Sequence, residues 1–156
     1  MEWLFDDIHV SIEMGPYEKN NLGFIVKSEE TSLDAGLTSS QKSTLGISIQ
    51  EVETAENVEY WPKVTMQDPN RREKIFKTTM KALRKADRLF QSDVGILTFG
   101  LEAGHVPSWE IAEEIGKAIF DHSKSDTEIE RILLIPSSPT QVSSFQYVLD
   151  NITVIR

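Results

Sequence analysis

Residues 94–107, with the sequence VGILTFGLEAGHVP, decide the fold, and Ser108 follows at the start of an amphipathic segment. The apolar residues at its beginning have the length and continuity of a buried strand. Gly100 and Gly104 then stand four residues apart, and Pro107 with Ser108 supplies the chemistry of a helix start. A strand, a glycine loop and a helix together place backbone N–H groups where they bind anions. This stretch therefore predicts either a loop that binds a phosphate-bearing small molecule or a tight strand–helix connection without a ligand.

Strand and helix patterns alternate along much of the chain. Continuous apolar strands beside amphipathic helices are typical of a sheet that is covered on both faces. We therefore predict one α/β domain over residues 1–156, a three-layer α/β/α sandwich around a mixed, mostly parallel sheet. The predicted strands are 8–13, 23–28, 46–52, 94–99, 132–135 and 152–155.

Three helices with a recognisable start are predicted, and one of them is the helix that begins at Ser108. Asp68 and Ser138 each precede a proline, and both residue types cap the free N–H groups of a first helical turn. Gln141 completes a capping-box pattern with Ser138. The remaining helix spans residues 108–122. The first helix has apolar residues at helical spacing, which predict its buried stripe: Phe76, Met80, Leu83, Ala86 and Phe90.

Composition limits the classes of function. The chain has 156 residues, a net charge of −9 and no cysteine, so disulfides and thiolate chemistry are excluded. The negative charge argues against nucleic-acid binding, which needs clustered lysine and arginine. Since the sequence contains no apolar run of membrane-helix length and no secretory signal, we expect a cytoplasmic protein without a membrane partner.

Three segments resemble the macro domain, an α/β/α module that binds ADP-ribose. Residues 15–27 are similar in spacing to its first turn and strand, 33–37 (LDAGL) to its first ligand loop, and 100–107 to its phosphate loop. The resemblance implies that two loops form the walls of a nucleotide site. The ligand-binding residues it implies are Asp34, Ala35, Gly36, Leu37, Gly100, Leu101, Glu102, Ala103, Gly104 and His105.

The same segments depart from the family pattern where the ligand would bind. Pro16 stands at the aspartate that recognises adenine, and Glu102 stands at a glycine of the phosphate loop. Three hypotheses follow. The chain binds ADP-ribose or a related NAD-derived nucleotide at a divergent and impaired site, or it has lost nucleotide binding and acts as a protein-interaction domain. The third alternative is hydrolysis of an ADP-ribosyl bond.

Glu102 and His105 are the candidate catalytic residues. Two unit charges about 4 Å apart repel by about 4 kcal/mol near a protein surface, so a fixed Glu102 would oppose a diphosphate. The carboxylate can instead rotate away, act as a base with His105, or hold the loop closed as a cap. The three histidines lack metal-ligand spacing, and we expect neither a metal nor a cofactor.

A basic segment is the alternative interaction site. Residues 71–88 hold eight of the sixteen basic residues and only two acidic ones, so they carry +6 and leave −15 elsewhere. This pattern indicates either a solvated helix face or a docking face for an acidic protein partner. Trp61 and Trp109 are expected to pack in the core, or else to mark an aromatic contact surface.

Overall fold

A computed structural model describes residues 2–15, 22–29 and 57–156. The described strands form one six-stranded sheet in the order β1-β2-β6-β5-β3-β4. The strands are β1 (Glu2–Phe5), β2 (Ile8–Ile12), β3 (Phe24–Lys27), β4 (Val58–Tyr60), β5 (Asp93–Leu97) and β6 (Arg131–Ile135). The predicted strand at 46–52 lies outside the described residues, as do Pro16 and residues 33–37.

The sheet is mixed and mostly parallel, as predicted. Among the strands that the structure describes, only β1 and β2 pair antiparallel, with Trp3 opposite Val10. The other pairs are parallel, and β5 matches β6 from Asp93 opposite Arg131 to Leu97 opposite Ile135. The carboxyl ends of β3, β4 and β5 therefore meet at one edge, where α/β sheets bind their ligands.

Both faces of the sheet are buried. In β3, Phe24 and Val26 belong to the main core, whereas Ile25 packs with Leu22 and Ile135 in a second apolar cluster. Alternate side chains of a strand point to opposite faces, so the two clusters lie on opposite sides of the sheet. This confirms the predicted α/β sandwich.

The described helices are α1 (Arg71–Arg88), α2 (Phe99–Ala103), α3 (Ser108–Ser123), α4 (Pro139–Asp150) and α5 (Ile152–Ile155). The helix α3 packs between α1 and α4. Among the described residues, none of the helices is both long and apolar enough to cross a membrane.

The first helix begins later than predicted and buries a different stripe. Asp68 Oδ1 accepts from the N–H of Asn70, and the helix starts at Arg71. Its buried residues are Ile75, Thr78, Thr79, Ala82, Leu83 and Ala86. Leu83 and Ala86 were predicted correctly, but Phe76 and Met80 lie beside the buried face of the helix and are half-buried. Phe90 lies beyond the helix end and is 79% exposed, so helical spacing did not apply to it.

The predicted strand at the C-terminus is wrong, because Ile152–Ile155 forms the short helix α5. Asn151 ends α4, and its carbonyl oxygen then accepts from Val154 and Ile155 N–H.

The predicted N-cap of α4 is confirmed, since Ser138 Oγ accepts from Gln141 N–H. The Gln141 side chain does not complete the capping box. Its Nε2 donates instead to the carbonyl oxygen of Ser108, which ties α4 to α3.

Candidate functional site

A cleft of about 320 Å³ lies at the carboxyl ends of β3, β4 and β5. Each of these strands runs directly into a lining segment, so the sheet itself positions the cleft. The lining residues are Ser28 and Glu29 after β3, the cleft wall Trp61, Pro62, Lys63, Val64 and Thr65 after β4, and Gly100, Leu101, Ala103 and Gly104 after β5.

The cleft wall, residues 61–65, is fixed at both ends. The Trp61 N–H donates to the Lys27 carbonyl at 2.9 Å, and its indole Nε1 donates to the Leu97 carbonyl at 2.8 Å. At the other end, Met66 N–H donates to the carbonyl of Gly104. Trp61 is 4% exposed, so the predicted core packing is confirmed for this tryptophan and it offers no aromatic contact surface.

Gly100 and Gly104 allow close packing of the segments that form the cleft. A Cβ on Gly100 would lie 1.7 Å from Ser28 Oγ, and one on Gly104 would lie 2.5 Å from the Val64 carbonyl oxygen. Neither position has room for a side chain. The two glycines therefore hold the strand ends together, which is a packing reason for the pattern that first suggested a ligand loop.

The predicted loop after β5 contains the one-turn helix α2, and β5 ends at Leu97 rather than at residue 99. Several of its N–H groups, which were predicted to face an anion, donate within the turn. Glu102 N–H donates to Thr98, Gly104 N–H to Gly100, and His105 N–H to Glu102. These amides are therefore not free to bind a phosphate, and the ligand-binding role of residues 100–105 stays a prediction.

Glu102 joins the carboxyl ends of β5 and β6. Its carboxylate accepts hydrogen bonds from Thr98 Oγ1 at 2.6 Å, Ser137 N–H at 2.9 Å and Ser138 Oγ at 2.8 Å. Glu102 does not line the cleft, whereas its neighbours Leu101 and Ala103 do. The sequence left three roles open for Glu102: a side chain that rotates away, a base, or a cap that holds the loop closed. This geometry matches the cap.

The structure does not pair Glu102 with His105. His105 is exposed, has a φ of 64°, and does not line the cleft. Its side chain makes no ion pair with any described carboxylate. The part of the chain that the structure describes also lacks a cluster of side chains suited to a metal ion. A catalytic role for either residue stays a prediction, without an acid–base pair to support it.

Lys63 and Glu29 are the charged residues of the cleft. Lys63 is exposed and forms neither an ion pair nor a hydrogen bond with a residue that the structure describes. An unpaired cation is notable in a chain of net charge −9. Lys63 was not predicted as a site residue, since the sequence around Trp61 has neither strand nor helix periodicity.

The basic segment 71–88 is largely neutralised within the fold. Arg71 binds Glu110 with two hydrogen bonds, 2.7 and 3.0 Å long, and Glu110 is buried. Arg72 binds Glu113 and Glu114, and its guanidinium lies 5.1 Å from the Trp109 ring. Trp109 is 51% exposed, so its predicted core packing is wrong. Two of the eight cations of this face hold α1 to α3, and four others pair with Asp68, Glu73 or Glu59.

Comparisons with known proteins show the fold. Neither the known protein families nor the curated proteins include a match to the sequence. Among solved structures, a mutant of the Oceanobacillus iheyensis macrodomain with ADPR has a TM-score of 0.70 and 13% identity, over 99% of this chain and 98% of that chain.

Two further structures agree with it. The macrodomain of the same organism with ADP has a TM-score of 0.65 and 14% identity, over 99% of this chain and 96% of that one. The Trypanosoma brucei macrodomain has a TM-score of 0.64 and 11% identity, over 94% of this chain and 68% of that one. The chain therefore has the fold of the macrodomains, as the resemblance of its short segments predicted.

Proposed function

We propose that this chain binds ADP-ribose or a related NAD-derived nucleotide in the cleft between Ser28, the cleft wall and Gly100–Gly104. The position of the cleft carries the proposal. It lies where three parallel strands end, in a fold shared with macrodomains that were solved with ADPR and with ADP. Its volume of about 320 Å³ is within the range of small-molecule sites.

The chemistry of the lining also supports a nucleotide ligand. The exposed lining residues Pro62 and Ala103 offer apolar contacts to a ribose or base, and Lys63 offers a cation to a phosphate. Because hydrogen bonds fix both ends of the cleft wall, its residues need little ordering when a ligand binds, which reduces the entropic cost of association. Electrostatic repulsion by Glu102 is small in this geometry, because three donors hold its carboxylate outside the cleft lining.

Calorimetric titration and thermal unfolding with ADP-ribose test the proposal. At about 100 times its dissociation constant, a ligand adds about 2.7 kcal/mol to the free energy of unfolding. Ala103→Trp fills the cleft from an exposed position and should abolish binding. Ser143→Trp is the matched control, since it adds the same ring to an exposed position of α4 outside the cleft. Binding that survives Ala103→Trp would place the ligand elsewhere.

Lys63→Gln separates phosphate recognition from the rest of the site. We expect it to weaken ADP-ribose binding by about fivefold and to leave the binding of adenosine, which lacks a phosphate, unchanged. Lys77→Gln on α1 removes the same charge away from the cleft and controls for net charge. Equal losses for both variants would show a long-range charge effect rather than a contact.

A further inference from the structure

Two side chains of opposite charge line the cleft and do not neutralise each other. Of the described lining residues, only Glu29 and Lys63 carry a charge, and both are exposed. Glu29 follows β3 and Lys63 follows β4, two strands that pair in parallel up to Lys27 opposite Tyr60. The described residues include no ion pair between Glu29 and Lys63. The cleft therefore presents a cation and an anion to one ligand at two separate positions.

The carboxylate of Glu29 restricts which ligand groups can lie beside it. An ionised carboxylate only accepts hydrogen bonds, so its partner on a ligand is a donor such as a hydroxyl group. A phosphate is disfavoured at this position, because two like charges in contact repel each other near a protein surface. A carboxylate has about four acceptor positions, so the interaction that Glu29 makes within the chain leaves others for a ligand. A bound nucleotide therefore places its phosphate at Lys63 and hydroxyl groups at Glu29.

A ribose 5-phosphate unit carries these two kinds of group on different sides of one sugar ring. Its phosphate is attached at C5, whereas the vicinal hydroxyls at C2 and C3 present two donors in one direction. Two donors match the two oxygens of one carboxylate. A carboxylate that binds a ribose hydroxyl is also the arrangement by which dinucleotide-binding folds recognise this sugar.

Building on the proposed function, we propose that Glu29 binds the vicinal hydroxyls of a ribose whose phosphate lies at Lys63. Glu29 is then the residue that selects ribose over 2-deoxyribose, and the ligand class is a ribosyl phosphate in which both hydroxyls are unsubstituted. Because Glu29 stands at an exposed position, its substitution removes a ligand contact and leaves the core intact.

Ribose 5-phosphate and 2-deoxyribose 5-phosphate are the probes, since they carry the same phosphate and differ in one hydroxyl of the pair. Their dissociation constants are measured by competition with ADP-ribose in calorimetric titrations of the full chain. We expect the unaltered chain to bind ribose 5-phosphate about fivefold more tightly than the deoxy sugar. Glu29→Ala should bind both probes equally. Its affinity for 2-deoxyribose 5-phosphate should be unchanged or higher, because a negative charge near the phosphate is lost, whereas a damaged cleft would weaken both probes.

Glu73→Ala is the matched control, since it removes the same charge from an exposed position of α1 outside the cleft lining. It should keep the fivefold preference for ribose 5-phosphate. Equal binding of the two probes by the unaltered chain, or a preference that persists in Glu29→Ala, would overturn the role of Glu29 and leave nucleotide binding in place. ADP-ribose that binds and is displaced by neither sugar phosphate would also overturn it. Absence of ADP-ribose binding would instead overturn the proposed function, and the role of Glu29 with it.

Discussion

The Glu102→Ala substitution tests whether this carboxylate joins two strand ends. In the intact chain it accepts from the hydroxyl of Thr98, the N–H of Ser137 and the hydroxyl of Ser138. Thr98 follows β5, whereas Ser137 and Ser138 follow β6. Removing the carboxylate releases all three donors at once and leaves the two loops without this link.

The magnitude depends on which donors can find water. Thr98 is fully buried, so its hydroxyl loses a charge-assisted hydrogen bond without compensation, at a cost of about 1–3 kcal/mol. Ser137 is exposed and its N–H can bond to water, and Ser138 can do so in part. We expect a total loss of about 2–3 kcal/mol, which corresponds to about 4–12 °C in the melting temperature of a domain of this size.

Urea and thermal unfolding measure this effect. Glu73→Ala is the matched control, because Glu73 is an exposed residue in an i,i+4 pair with Lys77, and it should cost less than about 0.5 kcal/mol. Glu102→Gln keeps one acceptor oxygen and should fall between the two. If Glu102→Ala is as stable as Glu73→Ala, the carboxylate does not link the loops.

The effect of Glu102→Ala on ligand affinity distinguishes two roles of this carboxylate. Glu102 either positions the cleft lining or repels the diphosphate, and the two roles predict opposite changes in affinity. If Glu102 positions the cleft lining, as we infer, its loss weakens ADP-ribose binding, because Leu101 and Ala103 lose their fixed geometry. If Glu102 repels the diphosphate, its loss strengthens binding. This second readout depends on the proposed function, whereas the stability change does not.

Three other substitutions have defined outcomes. Gly104→Ala places a Cβ 2.5 Å from a carbonyl of the cleft wall, and unfolding should show a loss of about 1–3 kcal/mol. Glu110→Ala leaves Arg71 half-buried without its bidentate partner, and the same assay should show a loss of about 2–4 kcal/mol. A hydrogen bond from Lys74 lowers the pKa of Asp68, so its contribution to stability is present above about pH 4 and is lost as pH falls through the folded pKa. Urea titrations should therefore show that the free energy of unfolding falls slightly less between about pH 7 and pH 3 in the Asp68→Asn variant than in the unaltered chain.

Sequence patterns predicted the four inner strands of the described sheet but not the two outermost ones. The strands β2, β3, β5 and β6 carry apolar residues that are buried on one or both faces, and these produce a readable pattern. The outermost of the described strands, β1 and β4, have only four and three residues and are partly exposed. Too few of their side chains are buried to produce a pattern, so neither was predicted.

The errors at Ile152–Ile155 and Phe90 have one cause, which is tertiary context. Four apolar residues in a row favour a strand, but Ile152 packs against the core directly after α4 and the chain continues as a helical turn. Phe90 extends the apolar spacing of α1 in sequence, although the helix ends at Arg88. Local periodicity does not contain the information about where a helix ends.

The sequence pointed to the segment after β5, where the structure has a cleft, but it did not show the contacts made there. The glycine pattern at Gly100 and Gly104 did mark the carboxyl end of the sheet. The sequence could not show that Ser28 and the cleft wall fill the space beside these glycines, or that Ser137 and Ser138 approach Glu102. Such contacts join segments that are far apart in the chain, and pairwise spacing within one segment cannot predict them.

The most direct test of the proposed site is a nuclear magnetic resonance titration of the ¹⁵N-labelled chain with ADP-ribose. We expect saturable shifts of Lys63, Val64, Gly100 and Gly104, and of the Trp61 indole N–H that donates to Leu97. Resonances of α1 should remain in place. An unchanged spectrum at millimolar ligand, or shifts confined to other parts of the chain, would contradict the assignment of the cleft as a nucleotide site.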